Sequence, residues 1–289
     1  RKVPREYDRL PPENEAVQQQ VDSNLNVAGH VLAKSGGITF SQDMVTWNAV
    51  NQFSNSSEQI QLSKIFVRNQ WLGQNTDPLV ETPVVDEITR LVDETATIFQ
   101  RMNTQGDMLR VATTVKTQEE KRAIGTYIPA FTPDKVPNPV IQAVLNGQKY
   151  QGRAYVVNEW YLTAYEPIKD KTDQIIGMLY VGIKQKNLES RVRQAILKTK
   201  VGKTGYVFVL RGKGEGKGSF IISPKGLHDG ESIFENIDNH NNQDQFRILF
   251  NKALLLKSDE FITGRYLWKS PGDSEPRSKI ARVAYYEPL

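Results

Sequence analysis

The first long pattern of apolar positions in this chain has the period of an α-helix. Within residues 14–33 apolar side chains recur at spacings of three and four residues, and the series is Val17, Val21, Leu25, Ala28 and Leu32. This spacing puts them on one stripe of a long helix, which Ser35-Gly36-Gly37 then ends. The stripe packs either on the same chain or on a second copy as a dimer seam, and both interpretations stay open.

Shorter segments further along the chain have helical patterns too. Pro at the first helical position indicates two helix starts, at Thr82-Pro83 and at Asn138-Pro139. The predicted helices are one beginning at Thr82-Pro83 with inner face Val85, Ile88 and Val92, one from Asn138-Pro139 to Gly147, a charged amphipathic one over 187–199, and a last one marked by Phe246, Leu249, Phe250 and Ala253.

Strand patterns occur twice and suggest a weak internal repeat. Residues 97–113 and residues 206–222 each read as strand, glycine-containing turn and strand, and "AYEPI" (164–168) is echoed by "YYEPL" (285–289). We therefore predict two hairpin-rich modules of roughly a hundred residues each. The predicted parts are an N-terminal helical region 1–60, a first module 61–186, a linker helix 187–200 and a second module 201–289. We expect the second module to lack its final strand, and the missing segment to lead on toward a membrane helix.

The segment "GRAYVVNEWYLTAYEPI" (152–168) predicts a hairpin with an aromatic cluster. Two runs in which side chains alternate between the faces of a strand flank Asn158-Glu159, which we predict to be a two-residue turn. This turn places Val157 opposite Trp160. Pro167 is expected to block extension into a central strand. One face then carries Arg153, Tyr155, Trp160, Leu162 and Ala164, and the other carries Ala154, Val156, Tyr161, Thr163 and Tyr165. Such aromatics are either ordinary core or the wall of a binding site.

Composition excludes several classes of protein. The 289 residues contain no cysteine, which rules out disulfides, cysteine-ligated zinc and thiol catalysis. The net charge of +4 comes from scattered basic residues, so nucleic acid is not an expected partner. No apolar run approaches the ~18 residues of a membrane span.

No motif supports an enzyme, a metal site or a cofactor. The chain has three histidines and neither HExxH nor GxSxG. "VGKTG" (201–205) lacks the first glycine of a phosphate-binding loop, since Leu197 stands there, and the acidic stretch 229–244 does not have the spacing of a calcium loop. We therefore expect no catalysis and no cofactor.

Several strings together resemble the Cache sensor domains of bacterial transmembrane receptors. The chain is most similar to the Cache 3–Cache 2 fusion found in methyl-accepting chemotaxis proteins and some sensor kinases. The strings are "VTWNAVNQF" (45–53), "QWLGQN" (70–75), "TIFQRMNTQGDMLRVATTV" (97–115), "RAIGTYIPA" (122–130), "NPVIQAVLNGQKYQGRAYVVNEWYLTAYEPIKD" (138–170), "IIGMLYVGIKQ" (175–185), "KTGYVFVL" (203–210) and "GRYLWKSPG" (264–272).

The resemblance implies an α+β fold, with a long N-terminal helix followed by two PAS-like Cache modules, each an antiparallel sheet flanked by helices. It implies a periplasmic sensor domain of an inner-membrane receptor, above all a chemotaxis receptor, that binds a small organic acid or amino-acid-like ligand in the membrane-distal module. The apolar stripe of the N-terminal helix also leads us to expect a homodimer through that helix in the full receptor. The alternatives are the sensor of a histidine kinase or cyclic-dinucleotide enzyme, or a sensor that docks a periplasmic binding protein instead of a free small molecule.

The resemblance also implies where a ligand binds. The strand matching 160–166 lies against the ligand in Cache modules, with a capping loop above it. An arginine there would meet a ligand carboxylate in bidentate geometry. The candidate ligand-binding residues are Arg110, Tyr127 from the capping loop, Arg153, Tyr155, Trp160, Tyr161, Thr163, Tyr165 and Tyr180.

Overall fold

The computed structural model of the protein describes residues 15–157, 159–235, 240–257, 260–268 and 274–285. The chain divides into two compact units, one up to Leu188 and the other from Glu189 onward. Each unit has a hydrophobic core of its own.

The first unit is a nine-stranded sheet with helices on both faces. Its helices are α1 (Glu15–Lys34), α2 (Val85–Val92) and α3 (Pro139–Leu145). Its strands are β1 (Thr39–Asn51), β2 (Ser57–Val67), β3 (Gln70–Trp71), β4 (Thr95–Arg101), β5 (Met108–Thr113), β6 (Thr126–Ile128), β7 (Tyr150–Val156), β8 (Glu159–Lys169) and β9 (Ile175–Lys184). The strand order is β3-β2-β1-β6-β5-β4-β9-β8-β7. The predicted α+β class is confirmed, but the sheet is mixed because β1 and β6 run parallel.

Helix α1 buries its apolar stripe in the protein's own chain. Val21, Leu25 and Ala28 are completely buried, and the helix packs on β7, β8, β9 and α2. A side chain in a packed core cannot also meet a second copy without leaving that core. The dimer-seam interpretation of this stripe is therefore corrected, and a dimer through α1 would need another of its faces.

The predicted helical region 1–60 is also corrected. Within residues 15–60, the helix ends at Lys34, and Gly36 and Gly37 follow it with φ of 84° and 73°. Glycine adopts this left-handed conformation without a steric cost, so the chain turns there. It continues as β1 and β2, a long hairpin that belongs to the nine-stranded sheet.

Helix α3 forms where the sequence places it, and helix α2 begins later than predicted. Helix α2 begins at Val85, two residues later than Pro83, and buries Val85 and Ile88. Helix α3 begins at Pro139, where the Asn138 side chain accepts a hydrogen bond from the backbone N–H of Val140 at 3.1 Å. This is an N-cap with proline at the first helical position.

The β7–β8 hairpin differs from its predicted register but keeps its predicted faces. Tyr155 pairs with Trp160 and Val156 with Glu159, so Glu159 belongs to the strand and not to the turn. Residue 158 lies outside the described part of the chain. Because the predicted pairing was displaced by two residues, and side chains alternate with period two, every side chain stays on its expected face.

Pro167 does not end β8, which continues to Lys169. The residue pairs with Met178 of β9 on one side. On the other side β7 begins at Tyr150 opposite Tyr165, so β8 has no neighbouring strand at Pro167. A proline lacks a backbone donor and is tolerated where a strand is an edge.

Helix α4 (Gln185–Lys198) confirms the predicted charged helix and crosses the boundary between the units. The remaining elements are β10 (Lys200–Val201), β11 (Gly205–Tyr206), β12 (Val209–Leu210), β13 (Phe220–Ile222), a 3₁₀ turn (Pro224–Gly226), α5 (His240–Ala253), β14 (Ile262–Trp268) and β15 (Arg277–Val283).

The second unit packs α5 and its strands around aromatic side chains. Its core contains Phe220, Ile233, Phe246, Phe250 and Tyr266. In the described part of residues 189–289, the strands pair two by two, as β10–β11, β12–β13 and β14–β15. The order of elements expected for the second module is visible in two places: the β12–β13 hairpin corresponds to β4–β5, and α5 followed by the β14–β15 hairpin corresponds to α3 followed by the β7–β8 hairpin. Most of the second Tyr-Glu-Pro segment, residues 286–289, lies outside the described residues.

Candidate functional site

A row of polar and aromatic side chains crosses the sheet on the face toward α3. Register places Thr97 of β4 beside Tyr180 of β9, Tyr180 beside Tyr165 of β8, and Tyr165 beside Tyr150 of β7. The ring centroids of Tyr165 and Tyr180 are 5.0 Å apart, and those of Tyr150 and Tyr165 are 6.1 Å apart. Directly opposite residues on antiparallel strands share a face, so this row is one continuous surface.

Two glycines make room for these rings. A Cβ at Gly152 would lie 2.7 Å from the Tyr150 hydroxyl oxygen, and a Cβ at Gly182 would collide with the Tyr180 hydroxyl. Each tyrosine side chain therefore lies along its own strand, over the glycine two residues away. The Tyr180 hydroxyl consequently reaches Thr95, at 3.3 Å.

Arg110 is the cation of this surface. It lies on β5 opposite Phe99, is 1% exposed, and places its guanidinium carbon 4.9 Å from the Phe99 ring centroid. One nitrogen donates to the Thr126 hydroxyl, while Nε is buried without a hydrogen-bond partner. Among the described residues no carboxylate forms an ion pair with Arg110. Burial lowers the pKa of its guanidinium, since desolvation penalises the charged form.

Tyr161 contributes the second unpartnered polar atom. Its side chain is completely buried, and its hydroxyl has no hydrogen-bond partner. Burial raises the pKa of this hydroxyl, as does the charge of Glu159, while Arg110 opposes the rise. Lys184 lies 5.9 Å from the ring centroid but already pairs with Glu159 at 2.6 Å. We name Arg110, Tyr161, Tyr165 and Tyr180 the arginine–tyrosine cluster.

The neighbouring hydroxyls are already satisfied. Thr97 and Thr113 bond each other at 2.6 Å, and the Thr163 hydroxyl donates to the carbonyl of Gly152 at 2.9 Å. Buried polar groups in proteins are normally hydrogen-bonded. Arg110 Nε and the Tyr161 hydroxyl are therefore exceptions, and both can donate to an acceptor.

Three of the sequence-predicted residues lie on the opposite face of the hairpin. Arg153 stacks on Trp160, with its guanidinium carbon 4.1 Å from the ring centroid, and its Nε donates to Oε1 of Gln185 at 3.0 Å. Tyr155 packs on Trp160 edge to face at 5.5 Å. This group fixes the first residue of α4 to the hairpin and is separated from the arginine–tyrosine cluster by the sheet.

Tyr127 is placed differently from its expected position in a capping loop. It lies on β6 opposite Leu109, and both side chains belong to the core under α1 and α2. Its hydroxyl is 3.3 Å from the Asn51 amide nitrogen. The residue one position earlier, Thr126, shares the face of Arg110 instead. Thus Arg110, Tyr161, Thr163, Tyr165 and Tyr180 come together, while Tyr127, Arg153, Tyr155 and Trp160 do not join them.

Sequence reasoning missed Phe99, Thr97, Thr113 and Thr126 as neighbours of the cluster. The pairing of β4 with β5 shifts between Ile98 and Phe99, so Ile98 faces Ala112 and Phe99 faces Arg110. This bulge is not marked by a glycine or proline. An alternating pattern alone therefore gave no signal for which residue meets Arg110.

A separate cavity of about 260 Å³ lies in the first unit, away from this surface. It is lined by Ser35, Val67, Arg68, Gln70, Glu81, Pro83, Val84 and Glu87. In the described ranges, no group of three histidine or acidic side chains is placed to hold a metal ion. None of the described helices combines the length and apolar character required to cross a membrane.

Comparison with protein families gives one match that spans nearly the whole chain. The model of the Cache 3/Cache 2 fusion domain matches residues 6–289. A comparison with curated proteins finds no match.

Several solved structures are similar to the chain at low identity. The periplasmic sensory domain of the Campylobacter jejuni chemoreceptor Tlp1 is 11% identical, with 94% of this chain and 90% of that chain covered and a TM-score of 0.27. The periplasmic domain of RsbU from Chlamydia trachomatis is 11% identical, with 92% of each chain covered and a TM-score of 0.25. A domain of a sensory box/GGDEF family protein from Vibrio parahaemolyticus is 14% identical, with 70% and 77% covered and a TM-score of 0.26.

Proposed function

The chain belongs to the Cache 3/Cache 2 fusion domain family, and from this premise we propose that it is the extracytoplasmic sensor domain of a transmembrane receptor. The ligand is a small organic acid or amino-acid-like molecule that binds the arginine–tyrosine cluster of the first unit. We propose that the full-length protein is a chemotaxis receptor, and the alternative is a sensor kinase or a cyclic-dinucleotide enzyme. The domain itself is not catalytic. The ligand binds one of two conformations more tightly than the other, and this difference in affinity shifts the equilibrium between the two conformations.

The single observation that carries this proposal is the unmatched charge of Arg110. A buried guanidinium needs a partner, because removing an ion from water costs several kcal/mol. Among the described residues its contacts are a threonine hydroxyl and the Phe99 ring, and its Nε is free. A ligand carboxylate would supply both the charge and the acceptor.

The position of Tyr161 supports the same ligand chemistry. Its free hydroxyl belongs to the same buried core as Phe99, on which the Arg110 guanidinium stacks. A hydrogen bond from a hydroxyl to a carboxylate contributes about 1.5–3 kcal/mol. Loss of the Tyr161 hydroxyl should therefore weaken binding roughly ten- to a hundredfold.

One observation favours the second candidate function, docking of a periplasmic binding protein. Arg110, Tyr161, Tyr165 and Tyr180 are each 1% or less exposed, so their own side chains fill the space beneath α3. A ligand must open this cluster before it binds, and its apparent affinity falls by the fraction of molecules that are open. A sensor that only docks a protein has no need to open it.

Calorimetry on matched arginine variants tests the proposal. A thermal-shift screen of organic acids, amino acids and amines supplies the ligand, since binding raises the stability of the folded state. Arg110→Met should abolish that stabilisation, whereas Arg153→Met, on the other face of the hairpin, should leave it unchanged. If Arg153→Met abolished the stabilisation and Arg110→Met did not, or if the best ligand were cationic, the assignment of the ligand to Arg110 would be rejected. A screen without any hit, together with capture of a binding protein from periplasmic extract, would favour the docking function.

The homodimer and the inner-membrane setting belong to the same proposal. Because α1 buries its apolar stripe, the dimer would use the outer face of that helix, which carries Val27 at 38% exposure.

A further inference from the structure

The cavity of about 260 Å³ in the first unit is lined by charged, hydroxyl and apolar groups. We propose that it is a second binding site, for a small organic cation that carries a primary ammonium group on a short aliphatic chain. The cavity lies outside the arginine–tyrosine cluster. The inference therefore goes beyond the proposed function and does not depend on the ligand of Arg110.

Three segments that are distant in the sequence form this cavity. Ser35 comes directly after the C-terminal end of α1, Arg68 and Gln70 belong to the connection of β2 and β3, and Glu81 and Glu87 flank the start of α2. Arg68, Gln70 and Glu81 are exposed. A small molecule can therefore enter this cavity from solvent without opening the core.

The hydroxyl of Ser35 is an unsatisfied polar group in the wall of the cavity. Ser35 is 3% exposed, and within the described part of the chain its Oγ has no hydrogen-bond partner. Buried hydroxyls are normally hydrogen-bonded. A serine hydroxyl rotates about one bond and accepts as well as donates. The Ser35 hydroxyl can therefore bind a polar group that enters the cavity.

The apolar part of the wall has a strained backbone. Val84 has φ of 70° and ψ of −60°, and the N–H of Val85 donates to the carbonyl of Pro83 at 2.9 Å. This is a γ-turn of the rarer, strained form, and a positive φ is exceptional for a β-branched residue. Such strain persists only where the surrounding structure holds it, and it is frequent at ligand sites.

The charges of the lining favour a cation. The lining contains two carboxylates, Glu81 and Glu87, and one guanidinium, Arg68. Arg68 and Glu87 are 3.8 Å apart, which is longer than a hydrogen bond, so this carboxylate can still accept one. The backbone carbonyls at the end of α1, next to Ser35, add a partial negative charge.

Glu81 also keeps acceptor capacity. It pairs with Arg90 at 2.9 Å, but both side chains are 63% exposed. Exposed ion pairs contribute little stability, and a carboxylate has two oxygens that can each accept more than one hydrogen bond. An ammonium ion in the cavity would thus be attracted by both glutamates, whereas an anion would be repelled by both.

The set of acceptors selects a primary ammonium group over a metal ion. The Ser35 hydroxyl, the Gln70 amide oxygen and the carboxylates can accept the three N–H donors of such a group. A calcium ion needs six to eight oxygen ligands, and among the described residues no group of three acidic or histidine side chains is placed to hold a metal. Val67, Pro83 and Val84 supply apolar surface for methylene groups. The volume is below the ~300 Å³ at which ligand pockets usually begin, so the chain is short.

Three probes with four carbons each test the ligand class by calorimetry. They are n-butylammonium chloride, tetramethylammonium chloride and sodium butyrate. We expect n-butylammonium to bind at least ten times more tightly than tetramethylammonium, which has the same charge without N–H donors, and than butyrate, which has the opposite charge. No binding of n-butylammonium at about 10 mM, or tighter binding of either other probe, overturns the proposal.

Variants of the lining test the location of the site. Glu87→Gln should weaken the binding of n-butylammonium about tenfold or more, because a hydrogen bond to a charged acceptor is lost. Arg68→Gln should strengthen it, because Glu87 loses its competing cation. Ser35→Ala should weaken it about tenfold without lowering the melting temperature, since this hydroxyl has no partner in the ligand-free protein. The control is Glu119→Gln, an exposed glutamate of the same unit outside the lining, which should leave the affinity unchanged.

The signs of these changes decide the proposal, and thermal unfolding shows that each variant is folded. Opposite effects of Glu87→Gln and Arg68→Gln support a cation site, because a purely structural role of the ion pair would change both affinities in the same direction. Equal losses in Glu87→Gln and Glu119→Gln would indicate unspecific attraction to the surface and overturn the site. Unchanged affinity in both Glu87→Gln and Ser35→Ala would place the amine elsewhere and overturn it as well.

Discussion

The guanidinium of Arg110 stacks on the ring of Phe99, 4.9 Å from its centroid, although eleven positions separate them in the sequence. The contact exists because the pairing of β4 and β5 shifts between Ile98 and Phe99. The attraction of a desolvated cation for an aromatic face is worth about 2 kcal/mol. This attraction is smaller than the cost of removing an ion from water. Without ligand, the charged Arg110 side chain therefore lowers the stability of the folded protein.

The first prediction concerns the stability of the ligand-free protein. Arg110→Met should raise the free energy of unfolding by about 1–4 kcal/mol, because an apolar side chain of similar length replaces a buried, incompletely paired ion. Urea unfolding measures the change. Arg101→Met is the control: Arg101 donates to backbone carbonyls of Asn103 and Thr104, so its loss should not stabilise. A marked destabilisation by Arg110→Met would mean that the arginine is a structural anchor.

The second prediction is a loss of stability in alkaline solution. Burial raises the pKa of the Tyr165 hydroxyl well above its ordinary value of 10.0, and burial also raises the pKa of Tyr180. Above pH 10 the unfolded chain therefore releases protons that the folded chain keeps, and stability falls as the pH rises. Below pH 10 both states hold these protons, so the tyrosines add no pH dependence there.

A single substitution isolates this effect. Tyr165→Phe should reduce the slope of the unfolding free energy against pH by about 1.4 kcal/mol per pH unit above pH 10. Between pH 7 and pH 9 the slopes of the variant and the wild type should agree. Equal slopes above pH 10 would contradict a protonated, buried Tyr165.

The third prediction distinguishes core packing from dimerisation in α1. Leu25 is completely buried and Val27, two residues away, is 38% exposed. Leu25→Ala should lower the free energy of unfolding by about 2–5 kcal/mol, while Val27→Ala should change it by about 0.5 kcal/mol or less. Sedimentation of both variants reports association. A Leu25→Ala protein that folds with unchanged stability but loses a dimer would restore the seam interpretation.

The fourth prediction concerns the link from the β7–β8 hairpin to α4. Arg153→Met removes the hydrogen bond to Gln185, which should lower the free energy of local opening in the first turn of α4. Amide hydrogens there should exchange about tenfold faster for each 1.4 kcal/mol by which that free energy falls. Hydrogen exchange with mass spectrometry measures this. Lys186→Met changes an exposed neighbour and should have no effect. Unchanged exchange in Arg153→Met would show that this contact does not hold the helix.

Elements whose patterns are local were predictable from the sequence. The stripe of α1, the Asn138-Pro139 start of α3 and the charged α4 all depend on residues within a few turns of each other. The faces of the β7–β8 hairpin were also predictable, since the alternation of Tyr161, Thr163 and Tyr165 does not depend on the register. For that reason the sequence identified most of the arginine–tyrosine cluster even though the predicted turn was wrong.

The membership of the site beyond that hairpin depended on contacts between distant segments. Sequence alone determined the residues that α1, α3 and β8 present on each face, the absence of cysteine, and the family of the chain. Only the tertiary structure decided that Arg110 meets Phe99, that Tyr127 turns to the opposite core, and that Arg153 binds the start of α4. Periodicity is a property of neighbouring residues, whereas a bulge between β4 and β5 or the pairing of Leu109 with Tyr127 is set by how whole strands pack, and no local pattern records that choice.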